Sequence, residues 1–103
     1  MKFKNVKFVN TDIPNGIQAI LEFGRDHELS IVKNEMSYGG KSGLYEIAVY
    51  KQGNPVEMPG ITETGDTVRG FLNEDQVEAI IKKMHLVTGN NPVDAFSERY
   101  NNV

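Results

Sequence analysis

The chain has no cysteine among its 103 residues. That excludes disulfides, thiolate metal sites and cysteine nucleophiles. Small secreted domains commonly depend on disulfides, so their absence favours a reducing compartment, and a cytoplasmic location is expected. Tryptophan is also absent, and proline occurs four times. Apolar runs are only a few residues long, far short of the ~20 needed to span a bilayer. Residues 1–7 are charged, with no apolar stretch after them, so they do not read as a signal peptide. Positive charge is scarce too: 11 Lys and Arg stand against 14 Asp and Glu, a net charge of -3. Such a balance gives no whole-molecule attraction to nucleic acid or to an anionic membrane.

What remains is ordinary globular composition, 39% hydrophobic and 24% charged, well away from the disordered class. The length suits one domain with one buried core. The strongest element is a helix over 74–86. Asn73 is a good N-cap, Gln76 completes a capping box, and Glu74 and Asp75 suit the positive end of the helix dipole. Leu72 can staple onto Val77, and Val77, Ile80, Ile81 and Met84 form one apolar stripe. Gly89 and Pro92 end the helix.

Residues 44–50 alternate Tyr45, Ile47 and Val49 with Glu46, Ala48 and Tyr50, which predicts a strand. Residues 29–36 predict another. The glycine-rich stretch 37–43 between them makes the wide tip of a hairpin. A third short strand is expected over 67–72, after a loop over 57–66. Residues 17–26 fit both helical spacing (Ile17, Ile20, Leu21, Gly24) and strand alternation (Ile17, Ala19, Leu21, Phe23). Asn15 followed by Gln18 resembles a capping box, so a helix ending near His27 is expected. The first nine residues hold three lysines and no acid; they predict a short strand whose lysines protect an edge. Residues 93–103 read as a helical turn or a loose tail.

The fold class that follows is α+β: a small antiparallel sheet of three or four strands with two helices packed on one face. Its expected core is Ile17, Ile20, Leu21, Ile31, Leu44, Ile47, Val49, Phe71, Val77, Ile80, Ile81 and Met84. Exposed edges of small sheets favour association, so a homodimer is a further expectation.

No catalytic or metal motif is complete. Gly40-Lys41-Ser42 evokes a phosphate loop, but Glu35 occupies the position of its first glycine and a strand pattern follows where a helix should. Ser42 lacks the glycine two residues on that a nucleophile elbow needs. His27-Glu28 starts like a zinc-protease motif, but Ile31 replaces the second histidine. His27 and His85 have no ligand spacing, and the acids between 57 and 78 do not match an EF-hand. A non-enzymatic protein without metal or cofactor is expected.

Two patches remain as candidate binding residues. The first is Tyr38, Gly39, Gly40 and Lys41, where glycines allow close approach and tyrosine is a favoured contact residue; the plain alternative is a turn with Tyr38 covering the hairpin. The second is acidic: Glu57, Glu63, Asp66, Glu74, Asp75 and Glu78 stand against the single Arg69, with Glu63 and Asp66 the candidate contacts for a basic partner. The plain alternative is a solvated face.

The stretches Glu28-Leu29-Ser30-Ile31-Val32-Lys33-Asn34-Glu35 and Ser37-Tyr38-Gly39-Gly40-Lys41-Ser42-Gly43-Leu44-Tyr45-Glu46-Ile47-Ala48-Val49 resemble small uncharacterised proteins encoded by bacteriophages and prophages. Asp66-Thr67-Val68-Arg69-Gly70-Phe71-Leu72-Asn73 adds to the likeness, which spans about residues 17–86. The N-terminal extension and the longer acidic loop over 57–65 depart from it. The resemblance implies a bacterial cytoplasm and no particular activity. The leading expectation is therefore a phage accessory protein that binds a host or phage protein. The alternative is a nucleic-acid-binding module using Lys2, Lys4, Lys7, Lys33 and Lys41, with Tyr38 stacking on a base. A third reading, an enzyme of unrecognised type, requires Tyr38, Lys41, Glu46 and His85 to converge.

Overall fold

The computed structural model describes residues 1–96. Its centre is a meander of three long antiparallel strands, β2 (Ile17–Phe23), β3 (His27–Lys33) and β4 (Tyr45–Lys51). Two short strands share each outer margin. β1 (Val9–Asn10) pairs with the start of β2, and β7 (Pro92–Asp94) pairs with its end. β5 (Asn54–Pro55) pairs with the end of β4, and β6 (Val68–Leu72) pairs with its start. Among the described residues the result is one seven-stranded sheet with a single long helix, α1 (Glu74–Thr88), on one face. The α+β class stands, while the sheet is larger than expected and the expected helix over 17–26 does not form.

That segment folds as β2. Asn15 does not cap it: its φ is 59, whereas an N-cap residue is extended. Asparagine tolerates this left-handed region and here helps build a turn in which the Thr11 N–H donates to the Gly16 carbonyl at 3.0 Å. With no cap, and with partners on both sides, the alternating pattern prevails: Ala19, Leu21 and Phe23 are fully buried, and Gln18, Ile20 and Glu22 face the other way. Residues 1–9 are not one strand either. Phe3–Asn5 forms a 3-10 turn, and only the last residue of the nine, Val9, enters a strand. Phe3, Phe8 and Tyr45 form an aromatic cluster with ring centroids 5.3 to 5.8 Å apart, and the Phe3 N–H donates to Glu78 Oε1 at 2.7 Å. At the other end, Pro92–Asp94 is strand β7, and Ala95 and Phe96 are helical; the rest of the expected turn or tail, 97–103, lies outside the described residues.

The core lies between the sheet and α1. Leu29, Ile31, Tyr45, Ile47 and Val49 meet Val77, Ile80, Ile81 and Met84 from the helix, with Ile61 and Leu72 filling in from the loop and β6. Ile20 and Phe71 are corrections to the expected core. Ile20 is on the opposite sheet face, and Phe71 is exposed. Ile17 and Leu44 are only partly buried. Phe23 was missed because 17–26 was read with helical spacing.

The helix terminus is as expected. Asn73 Oδ1 accepts from the Gln76 N–H at 2.8 Å, and Gln76 Oε1 accepts from the Asn73 N–H at 2.9 Å. Asn73→Ala should cost about 0.5–2 kcal/mol, and an unchanged urea midpoint would contradict the cap. Gly89, at φ 73, closes the other end by donating to the His85 carbonyl at 2.9 Å.

The face turned away from α1 carries Gln18, Ile20 and Glu22 of β2, Glu28, Ser30 and Val32 of β3, and Glu46, Ala48 and Tyr50 of β4. Among the described residues no helix lies on it. Nor, among the described residues, is any helix long and apolar enough to cross a membrane.

Candidate functional site

The segment joining β3 to β4 is built by short-range hydrogen bonds. Asn34 Oδ1 accepts from the N–H groups of Met36 at 2.7 Å and Ser37 at 2.8 Å. Ser37 Oγ accepts from the Asn34 N–H at 2.9 Å and donates to the Asn34 carbonyl at 3.0 Å. Asparagine and serine make such turns readily because their side chains reach nearby backbone. Gly40–Ser42 then forms one 3-10 turn, with Gly39 and Gly43 left-handed on either side. This turn leads into β4, so Gly40-Lys41-Ser42 has no helix to offer a phosphate.

The loop is fastened to the sheet at two points. The Tyr38 N–H donates to Glu46 Oε1 at 3.0 Å, and the Phe71 N–H donates to the Tyr38 carbonyl at 3.1 Å. The second bond arises at an irregularity in β6. Tyr45 pairs with Leu72 and Ile47 with Arg69, so Gly70 and Phe71 together oppose Glu46. This is a β-bulge, which re-aims side chains at a sheet margin. Phe71 sits at φ 57, an outlying conformation for a bulky residue, worth of order 1–3 kcal/mol of strain.

Glycines let the two backbones touch. A Cβ on Gly39 would stand 2.9 Å from Phe71 Cα, and one on Gly70 would overlap Tyr38 Cβ. The side chains are consequently driven outward: Tyr38 is 59% exposed, Phe71 61% and Met36 83%. Between Tyr38 and Phe71 lies a shallow hollow of about 320 Å³ lined by Glu35, Ser37, Tyr38, Gly39, Lys41, Ser42 and Phe71. It offers aromatic surface, one ammonium and one carboxylate, on a frame fixed by backbone bonds.

Tyr38, Gly39 and Lys41 therefore line one hollow, whereas Gly40 packs against the Asn34 backbone. Glu63 and Asp66 do not line this hollow. Glu63 lies 3.7 Å from the Arg69 guanidinium, and Asp66 Oδ1 accepts from the Thr67 N–H at 2.7 Å. Glu57 likewise accepts from the Gly65 N–H. These acids organise their own loop. Phe71 is a site residue outside the expected contacts; its signal in the sequence is the lone Gly70 inside a strand pattern, a common mark of a bulge.

Of the residues named for the enzyme reading, Tyr38, Lys41 and Glu46 meet at the loop, while His85 does not. Lys2 shares a hollow with Asp75, Glu78 and His85 beside α1, and Lys33 Nζ lies 4.9 Å from the Tyr45 ring centroid. His85 Nδ1 is 3.0 Å from the Asn90 carbonyl, away from Tyr38 and Lys41. Among the described residues, no three His, Cys, Asp or Glu gather as a metal site. Comparison of the chain with known family models, curated proteins and solved structures gives no significant match.

Proposed function

We propose that the chain is a non-enzymatic protein-binding module and that the corner formed by Tyr38 and Phe71 is its recognition surface. One observation carries this reading. Phe71 is held in a strained left-handed conformation with most of its surface in solvent, an arrangement that costs stability and returns little packing. Such outliers persist where surrounding structure enforces them, and they concentrate at functional positions. Tyrosine and phenylalanine are enriched contact residues, and a corner already rigid loses little freedom on association. The likeness of the Tyr-Gly-Gly-Lys loop to phage-encoded proteins suggests a host or phage protein as partner.

The test compares the wild-type chain with the double variant Tyr38→Ser, Phe71→Gly, each immobilised and exposed to bacterial lysate. Glycine relieves the left-handed strain, so the variant should match or exceed wild-type stability by up to about 1 kcal/mol. Bound protein should be retained by the wild type and lost from the variant, with at least ~2 kcal/mol of binding removed per anchor. Equal retention by both proteins would place the working surface elsewhere.

A further inference from the structure

Among the described residues, the sheet face turned away from α1 sets two carboxylates side by side with no ion pair. Glu22 and Glu28 are cross-strand partners, and Tyr50 follows Glu28 in the same row. Val93 of β7 flanks Glu22 on the other side. Directly opposed side chains on adjacent strands lie roughly 5 Å apart at Cβ, where like charges destabilise the sheet. Among the described residues neither carboxylate has an ion pair or hydrogen bond, and the strand positions of β2, β3 and β4 facing this way include no lysine or arginine. Beside the pair is a hollow of about 200 Å³ with Glu28, Tyr50 and Ile20 on its rim. Ser30, only 8% exposed, also lines it, and Ala48 is the neighbour of Ser30 on β4.

We propose that this face docks a partner protein through an arginine seated between Glu22, Glu28 and Tyr50. Charge complementarity selects the occupant. A guanidinium presents a planar fork of donors that can engage two carboxylates at once, and it stacks on an aromatic ring. Ile20 and Val93 supply apolar surface for its stem and for neighbouring apolar residues of the same segment. A second copy of this chain is a poor occupant, because self-docking would lay another Glu22 and Glu28 on the first pair. The site lies at the far end of the strands from the Tyr38 corner. Residues 28 and 33 of β3 are five positions apart, roughly 17 Å along the strand.

The test is an NMR titration of the full ¹⁵N-labelled chain with an end-capped peptide of alternating arginine and valine. The control is the same peptide with neutral citrulline at every arginine. Saturable shifts should concentrate on amides near Glu22, Glu28 and Tyr50. Affinity should fall at least tenfold with the citrulline peptide, and again for Glu22→Gln with Glu28→Gln. That variant should melt above the wild type, since it removes the repulsion, so weaker binding would not reflect lost folding. Tyr38→Ser with Phe71→Gly should bind the peptide as the wild type does, which separates this face from the corner. Equal affinity for both peptides, or shifts centred elsewhere, would overturn the proposal. So would sedimentation showing a dimer that occupies this face.

Discussion

Phe23→Ala should lower stability by about 3–5 kcal/mol. Phe23 ends β2, is fully buried, and lies between His27 of β3 and Pro92 of β7. Its ring has no route to solvent, so truncation loses both the transfer energy and the contacts of the walls left behind. A domain of this size typically has ~5–15 kcal/mol in total. The melting temperature should drop by at least about 12 °C, at roughly 4–8 °C per kcal/mol. Phe71→Ala is the matched control. It removes an equal ring from a 61% exposed position and should stay within about ±0.5 kcal/mol. Thermal unfolding of the two variants side by side checks both statements; similar losses would contradict the outward placement of Phe71.

Gly70→Ala is the second large effect. The added methyl would overlap Tyr38 Cβ and stand 2.9 Å from the Tyr38 carbonyl oxygen. Neither atom can yield without moving backbone, because that carbonyl accepts the Phe71 N–H. Overpacking against flexible side chains costs about 1–3 kcal/mol, and a backbone obstacle places this substitution at or above the top of that range. The loss should also appear locally. Hydrogen exchange at the Phe71 amide should accelerate more than exchange at Ile31 or Ile47, because the loop must lift from the bulge before the core opens. Uniform acceleration would mean that the corner is not a separable unit.

These two variants mark what could be read from the residues and what could not. The α1 cap was legible because Asn73, Gln76, Glu74 and Asp75 act over a single helical turn, and local chemistry decides such a feature. The alternation of 45–51 was legible for the same reason, since a period of two in a half-buried strand is local. Residues 17–23 were ambiguous between two periods. The tie was broken by partners distant in sequence, notably β7, which pairs with β2 through Pro92–Asp94. A two-residue strand such as β1 or β5 carries no periodic signal at all. At the candidate site, the loop glycines and Tyr38 drew notice by composition. An aromatic in a strand pattern usually belongs to the core, and only the bulge opposite Glu46 turns Phe71 outward. The acidic loop drew notice through a charge count, which does not register that Glu57, Glu63 and Asp66 have nearby partners.

The division of each sheet margin between two short strands bears on aggregation. The segments 17–23, 27–33 and 45–51 are the β-rich stretches that could stack into cross-β fibrils. In the folded chain each long strand has neighbours on both sides, and the outermost strands are two to five residues long. β1, β5 and β7 are too brief to seed strand addition, and β6 is interrupted by its bulge. Short or bulged margins are poor templates for edge-to-edge growth. Fibril nucleation is therefore tied to global unfolding, and its lag time should track the melting temperature across the core variants.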